Sequence, residues 1–286
     1  MTTSESQWTV PPAQSLRVRP GFLLHDVHPH STPGYGGGKK GAASELSHGQ
    51  HRLSELQERL YAASRAGTTN ASVLLLLQAM DSAGKGGIVR HVVGSVDPQG
   101  VSITAFKKPT PEELNHDFLW RAEKVLPEYG YIGVFDRSYY EDVLIGRVHA
   151  LAPAAEIERR YDAINSFENR IVGSGVRLIK VMLHISYERQ RERLLERLDR
   201  PDKYWKYTES DTDQRAHWSQ YMDAYQRVFD LTSTESAPWH VIPADHKWYV
   251  RLAVQSLLID ALQDARPQWP AAVYDVDAER RRLLAT

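Results

Sequence analysis

An α/β fold, a parallel sheet flanked by helices, is what this sequence predicts, and three observations predict it. Leu74 to Leu77, with Val73 before them, form a short apolar run suited to a strand buried on both faces. Directly after it come Gly84, Gly86 and Gly87, and then an apolar and basic run, Ile88 to Val93, that reads as the start of a helix. Further on, a helical pattern over 155–172 returns through Gly173, Ser174 and Gly175 into an apolar strand over 176–184. That return is what a right-handed parallel crossover requires.

The length of 286 residues and a 42% hydrophobic content are enough for a substantial core, read here as one large domain with decorations. No stretch is long and apolar enough to cross a membrane, and the opening MTTSESQW lacks the order of a signal peptide, so a cytoplasmic protein is expected. The absence of cysteine excludes disulfides and thiolate metal sites. A net charge of −1 gives no global reason to expect nucleic acid, so any anion site must come from local clustering.

Residues 1–42 read as an irregular arm, broken by Pro11, Pro12, Pro20, Pro29 and Pro33 and by the Gly34–Gly38 tract, which lacks a preceding strand and reads as a flexible connector. An amphipathic helix follows over 43–63, carrying Leu46, Leu53, Leu56 and Leu60. The leucine strand and glycine turn then gather free N–H groups and a helix N-terminus around Lys85, which makes a phosphate cradle. The loop departs from the full phosphate-loop consensus, with Ala79 at the first glycine position and Gly86 where a hydroxyl residue usually follows the lysine. A magnesium ligand must therefore come from elsewhere, and Asp81 is the nearest candidate.

A second strand over 101–106 ends in Lys107 and Lys108, which either meet a ligand at the strand's carboxyl end or stay solvated. A helix is expected from Thr110 to about Val125, with His116, Asp117, Trp120 and Arg121 on one face. The strand over 131–135 runs straight into Asp136 and Arg137, an acid placed for a metal and a cation facing the same phosphates. A short helix begins near Glu141. Over 187–200, Arg189, Arg193 and Arg197 fall on one helical stripe, and Arg200 to Lys206 add basic and aromatic residues including Lys203. In small-molecule kinases an arginine-bearing lid occupies this place. Helices over 211–231 and 248–262, a short strand over 239–242 and a peripheral tail from 266 complete the chain.

Four segments, QAMDSAGKGG at 78–87, KKPTPEELNHDFLWR at 107–121, FDRSYYEDVLIGRVH at 135–149 and RLDRPDKYWKY at 197–207, resemble the polyphosphate kinase 2 family. The resemblance implies a P-loop kinase domain over 43–265, with a helical lid at about 187–212 and a tail at 266–286. It also implies phosphoryl transfer between inorganic polyphosphate and a nucleotide, with magnesium or manganese, in a homodimer or homotetramer. The EELNHDFLWR and YEDVLIGRVH segments look most like the single-domain branch that accepts nucleoside mono- and diphosphates. On this reading Asp81 and Asp136 hold the metal, Lys85 and the loop amides bind phosphate at the transfer point, and Gly84 and Gly86 are among the nucleotide-binding residues. Arg90, Arg137, Arg193 and Arg197 line the polyphosphate path, Lys203 and Lys206 close from the lid, and Asp117 with Asn115 positions the nucleotide. Two rival readings are a conventional ATP-dependent small-molecule kinase and a non-catalytic polyanion-binding module.

Overall fold

A computed structural model describes residues 6–286; the first five residues, part of the arm and of the signal-peptide reading, lie outside the described residues. Five parallel strands, β1 (Ser72–Ala79), β2 (Val101–Ala105), β3 (Ile132–Asp136), β4 (Val176–His184) and β5 (Trp239–Pro243), pair in the order β2-β3-β1-β4-β5. The P-loop kinase-like sheet expected from the sequence is present. Every residue of β1 is buried, as its unbroken apolar run requires of a strand with neighbours on both sides and helices on both faces.

Among the described residues, nine helices of seven or more residues accompany the sheet: α1 (Lys39–Arg65), α2 (Lys85–His91), α3 (Glu141–Val148), α4 (Ala154–Gly173), α5 (Tyr187–Leu198), α6 (Glu209–Ala216), α7 (Trp218–Thr232), α8 (Lys247–Asp264) and, at the periphery, α9 (Val276–Leu284). α1, α2 and α8 pack as one layer; α3, α4 and α7 form another. β1 and β3 lie side by side with Leu77 opposite Asp136, so their carboxyl ends open at one point. An open parallel sheet binds ligands at that edge.

The arm is docked rather than loose. Val18 N donates to Trp239 O at 2.8 Å and Val241 N to Leu16 O at 2.9 Å, which gives β5 a short antiparallel neighbour, while Leu16, Leu24 and Tyr35 are buried. Gly34 has a φ of +75°, and a Cβ there would lie 2.4 Å from Val10 O, so the glycine tract shapes a tight contact and is not a flexible connector. α1 starts at Lys39, four residues before the boundary expected from periodicity. At the other end α9, which the sequence pattern does not predict, is capped by Asp275 and buries none of its residues, in keeping with a peripheral tail.

Two expected helices are broken. Between Thr110 and Val125 the chain makes one 3₁₀ turn, Glu113–Asn115, an extended residue at His116, and one α turn, Trp120–Glu123. Thr110 and Glu113 close a reciprocal cap on each other's N–H groups, and Asp117 Oδ1 accepts from Leu119 N at 3.0 Å, so local side-chain bonds replace the helical ladder. The second break is at His217, which separates α6 from α7. There Arg215 turns inward to Tyr187 O while Trp218 packs edge-on against the Tyr187 ring.

Candidate active site

The glycine turn leaves β1 through buried Met80 and passes Asp81 and Ser82 before α2 opens on Lys85. Two turns beside this point hold non-glycine residues in the left-handed region, Ser82 at φ +65° and Arg137 at φ +63°. Such residues persist only where their surroundings hold them. Arg137 N donates to Leu77 O at 3.0 Å, which fixes the turn after β3 against β1. Its guanidinium then reaches across to Asp81 Oδ1 at 2.7 Å. Lys85 Nζ lies 4.0 Å from Asp136 Oδ1 and 3.4 Å from Ala79 O. Two acids and two cations therefore alternate at the ends of two adjacent strands.

Burial alone would raise the pKa of Asp81, but the charges of Lys85 and Arg137, the Arg137 hydrogen bond and the charge of Arg197 hold it below the ordinary carboxylate value. Arg137 is correspondingly held more firmly protonated by Asp81, Glu141 and Asp136, against its own burial. From the last turn of α5, Arg197 donates to Lys206 O at 2.7 Å and to Asp211 Oδ2 at 3.4 Å. Burial and the neighbouring charge of Asp81 raise the Asp211 carboxyl. The structure thus brings Asp81, Lys85, Asp136, Arg137 and Arg197 into one cluster.

Arg193 requires a correction. It does not line an anionic path: it is 6% exposed and its two terminal nitrogens are spent on four carbonyls, Ser82 O (3.1 Å), Ala83 O (2.8 Å), Ala244 O (2.9 Å) and Asp245 O (3.0 Å). It braces the phosphate loop from behind. Lys203 and Lys206, in the 3₁₀ turn Pro201–Lys206, are engaged locally, Lys203 with Asp202 at 3.2 Å and Lys206 over the exposed Trp205 ring at 4.9 Å. Arg90 is exposed on α2. Gly84, at φ +129°, makes the turn into α2, and Gly86 has open space around it. Asn115 is exposed in its 3₁₀ turn. Asp117 lines a separate cleft of about 680 Å³ with His116, Trp120, Glu123, Phe167 and Arg170, where His116 and Trp120 stack at 3.9 Å. Arg121 leaves that face for Lys107 O at 2.9 Å and Asp142 Oδ2 at 3.4 Å.

Sequence reasoning misses three residues at the cluster. Glu141 reads from sequence only as a helix start, yet it faces Arg137, Lys85 and Asp81, and desolvation raises its carboxyl. Asp211 completes a capping box with Thr208, a signal visible in the Thr-x-x-Asp spacing, but nothing local says that the box faces the loop. Gln190 donates to Asp81 O at 3.0 Å from a helix that the sequence presents only as a stripe of arginines.

Among the described residues no group of three or more His, Cys, Asp or Glu is arranged to hold a metal ion. The cluster offers Asp81 and Asp136, with the Asp136 side chain 32% exposed. Two carboxylates, with phosphate oxygens and water completing the shell, are the donor set by which magnesium is held beside substrate phosphates, so the residues fit a divalent ion bound together with substrate.

The polyphosphate kinase 2 family model matches residues 38–270. The chain belongs to the polyphosphate kinase 2 family. An AMP/ADP-polyphosphate phosphotransferase of Meiothermus ruber is 41% identical over 259 residues, 90% of this chain and 95% of that one. An ADP-polyphosphate phosphotransferase of Rhodopseudomonas palustris is 42% identical over 245 residues, 82% of each chain. The crystal structure of polyphosphate kinase 2 from Arthrobacter aurescens TC1 superposes with a TM-score of 0.95 at 56% identity, covering 98% of both chains. Within this polyphosphate kinase 2 protein the family match starts one residue before α1 and takes in the whole sheet, while most of the arm and the terminal helix fall outside it.

Proposed function

We propose that the chain moves a phosphoryl group from inorganic polyphosphate to a nucleoside mono- or diphosphate, AMP to ADP and ADP to ATP, and in the reverse direction, at the cluster of Asp81, Lys85, Asp136 and Arg137. The observation that carries this is the alternation of two carboxylates and two cations where β1 and β3 end, under an arginine from the lid. Both substrates are polyanions, so the main obstacle is their mutual repulsion, and in a loose transition state charge on the peripheral oxygens must also be offset. The acceptor phosphate oxygen is already ionised near neutral pH, so little proton chemistry is asked of the protein.

Lys85 stands off its carboxylate and the Arg137 side chain is 38% exposed, so both cations can turn toward phosphate. The N–H groups of Lys85 and Gly86 open α2 ahead of the first one that bonds back, Gly87 N to Gly84 O, and lie at the positive end of the helix beside the cluster. The depressed pKa of Asp81 keeps it ionised through the working range. Magnesium, or manganese in its place, supplies charge neutralisation between phosphate oxygens when bound, held by Asp81 and Asp136. Arg197 approaches from the lid, with Lys203 and Lys206 at its outer edge and Arg90 on the loop helix, all available to the polyphosphate chain. Asp117, beside the stacked His116 and Trp120, receives the nucleotide, with Asn115 at its margin. The cysteine-free composition suits a cytoplasmic setting, and a homodimer or homotetramer, which light scattering would test, is the assembly expected.

The test is an assay of purified protein with magnesium and long-chain polyphosphate against AMP, ADP, GMP and GDP separately. Formation of the next higher phosphate with polyphosphate as sole donor is the expected result; transfer only from ATP, or binding without turnover, would replace the proposal with one of its rivals.

A further inference from the structure

Behind the active site, α5 holds the phosphate loop by its carbonyls at two places, and the two grips are anchored differently. Arg193 takes Ser82 O and Ala83 O with one nitrogen and the carbonyls of Ala244 and Asp245, after β5, with the other, so that grip is tied to the body of the domain. Gln190, 1% exposed, takes Asp81 O with its Nε2 at 3.0 Å, and its Oε1 accepts from Arg215 at 2.6 Å. That grip is tied to α6, which carries Arg215 and begins within the end of the lid segment. The amide can point only one way: turned over, it would set its oxygen against a carbonyl and its nitrogen against a guanidinium.

Arg215 is itself 9% exposed, donates also to Tyr187 O at 2.9 Å and lies 3.8 Å over the Tyr187 ring. It has no carboxylate partner among the described residues. A buried cation satisfied only by neutral groups is costly, and an apolar side chain would pack the same space at less cost. The peptide that Gln190 holds joins Asp81 to Ser82, the residue at φ +65°. One turn before Arg215 on the same helix, Asp211 meets Arg197, which acts on the Asp81 carboxylate. α6 therefore bears on Asp81 twice, at its side chain and at its carbonyl.

We propose that Gln190 is a positioning residue that relays the seating of α6, through Arg215, to the Asp81–Ser82 peptide, so that the phosphate loop takes its transfer geometry only with α6 in place. This rests on the phosphoryl-transfer reading of the site. The variants Gln190→Met, Arg215→Met and the double variant, compared at saturating polyphosphate and AMP, test it. Each single variant is expected to lower kcat about 10- to 100-fold with nucleotide KM within about twofold, and the double variant to fall no further than the worse single. Gln190→Glu keeps the contact to Arg215 but presents a carboxylate oxygen to the Asp81 carbonyl, and it should be as slow as Gln190→Met; it carries the test should the methionine variant fail to fold. Arg215→Lys keeps one donor for Gln190 and should recover most of kcat. Losses that multiply in the double variant, or lowered Tm with unchanged kcat, overturn the relay. Wild-type protein that transfers nothing from polyphosphate overturns instead the reading of the reaction, and is distinguished because it is measured first.

Discussion

Lys180 in the middle of the sheet and Lys85 at its end each face a carboxylate, and the two meetings are built differently. Lys180 is fully buried and donates to Glu168 Oε2 at 2.6 Å, Thr232 O at 2.7 Å and Tyr140 OH at 3.1 Å, which uses all three hydrogens of the ammonium. The other oxygen of Glu168 accepts from Tyr139 OH and Tyr140 OH, both at 2.8 Å. Lys85 instead stands 4.0 Å from Asp136 and makes one long bond to a carbonyl, beside an aspartate that is part-exposed. The first arrangement has no capacity left and can only hold structure. The second is under-committed, and a cation that gives up little on leaving its partner is free to meet phosphate.

Removing one acid from each region should therefore give opposite results. Asp136→Ala should lower phosphoryl transfer on the order of 10²- to 10³-fold while Tm moves by no more than about 2 °C, read by coupled nucleotide assay and thermal melt. Glu168→Ala should do the reverse. It strands a buried ammonium and should cost about 3–5 kcal/mol in urea unfolding, with kcat of the folded fraction within a few-fold of wild type. Pairing Glu168→Gln with Lys180→Met removes both charges and should be milder than Glu168→Ala. Equal loss of stability in Asp136→Ala and Glu168→Ala would erase the comparison.

A third measurement probes the core by pH. Burial pushes His184 and His240 down to about 4 from an ordinary 6.5. Between those values the unfolded chain binds protons that the folded chain refuses, so the stability is fully present above pH 6.5 and is lost as pH falls toward 4, by about 3 kcal/mol for each imidazole. Urea unfolding at pH 7 and pH 5 should show the decline, and His240→Phe should flatten it; an unchanged slope would mean that His240 is not held neutral. The smallest effect belongs at the lid's rim, where Lys206→Ala should raise polyphosphate KM by about two- to threefold, more at low salt than at high, because an exposed charge is screened.

The sheet, and the meeting of four charged residues at its edge, were legible because parallel strands are written in unbroken apolar runs, so that the residues after Leu77 and Phe135 must emerge there. Asp81, Lys85, Asp136 and Arg137 needed no more than that. Arg193 was misread because its stripe on α5 looks the same whether it faces water or carbonyls, and tertiary packing decides which. Gln190 and Asp211 were missed for the same reason: Gln190 meets Asp81 across 109 residues of sequence, and the capping role of Asp211 is all that its local pattern shows. The helix expected after Thr110 breaks at the extended His116 because Asp117 bonds the backbone beside it, a competition that periodicity does not register.

The most direct test is turnover of AMP by wild type and Lys85→Ala, with polyphosphate as sole phosphoryl donor and circular dichroism as the check on folding. A transfer point at Lys85 predicts ADP and ATP from the wild type and a loss of about 10²-fold or more in a variant with an unchanged spectrum. Wild-type-like turnover in Lys85→Ala would contradict it.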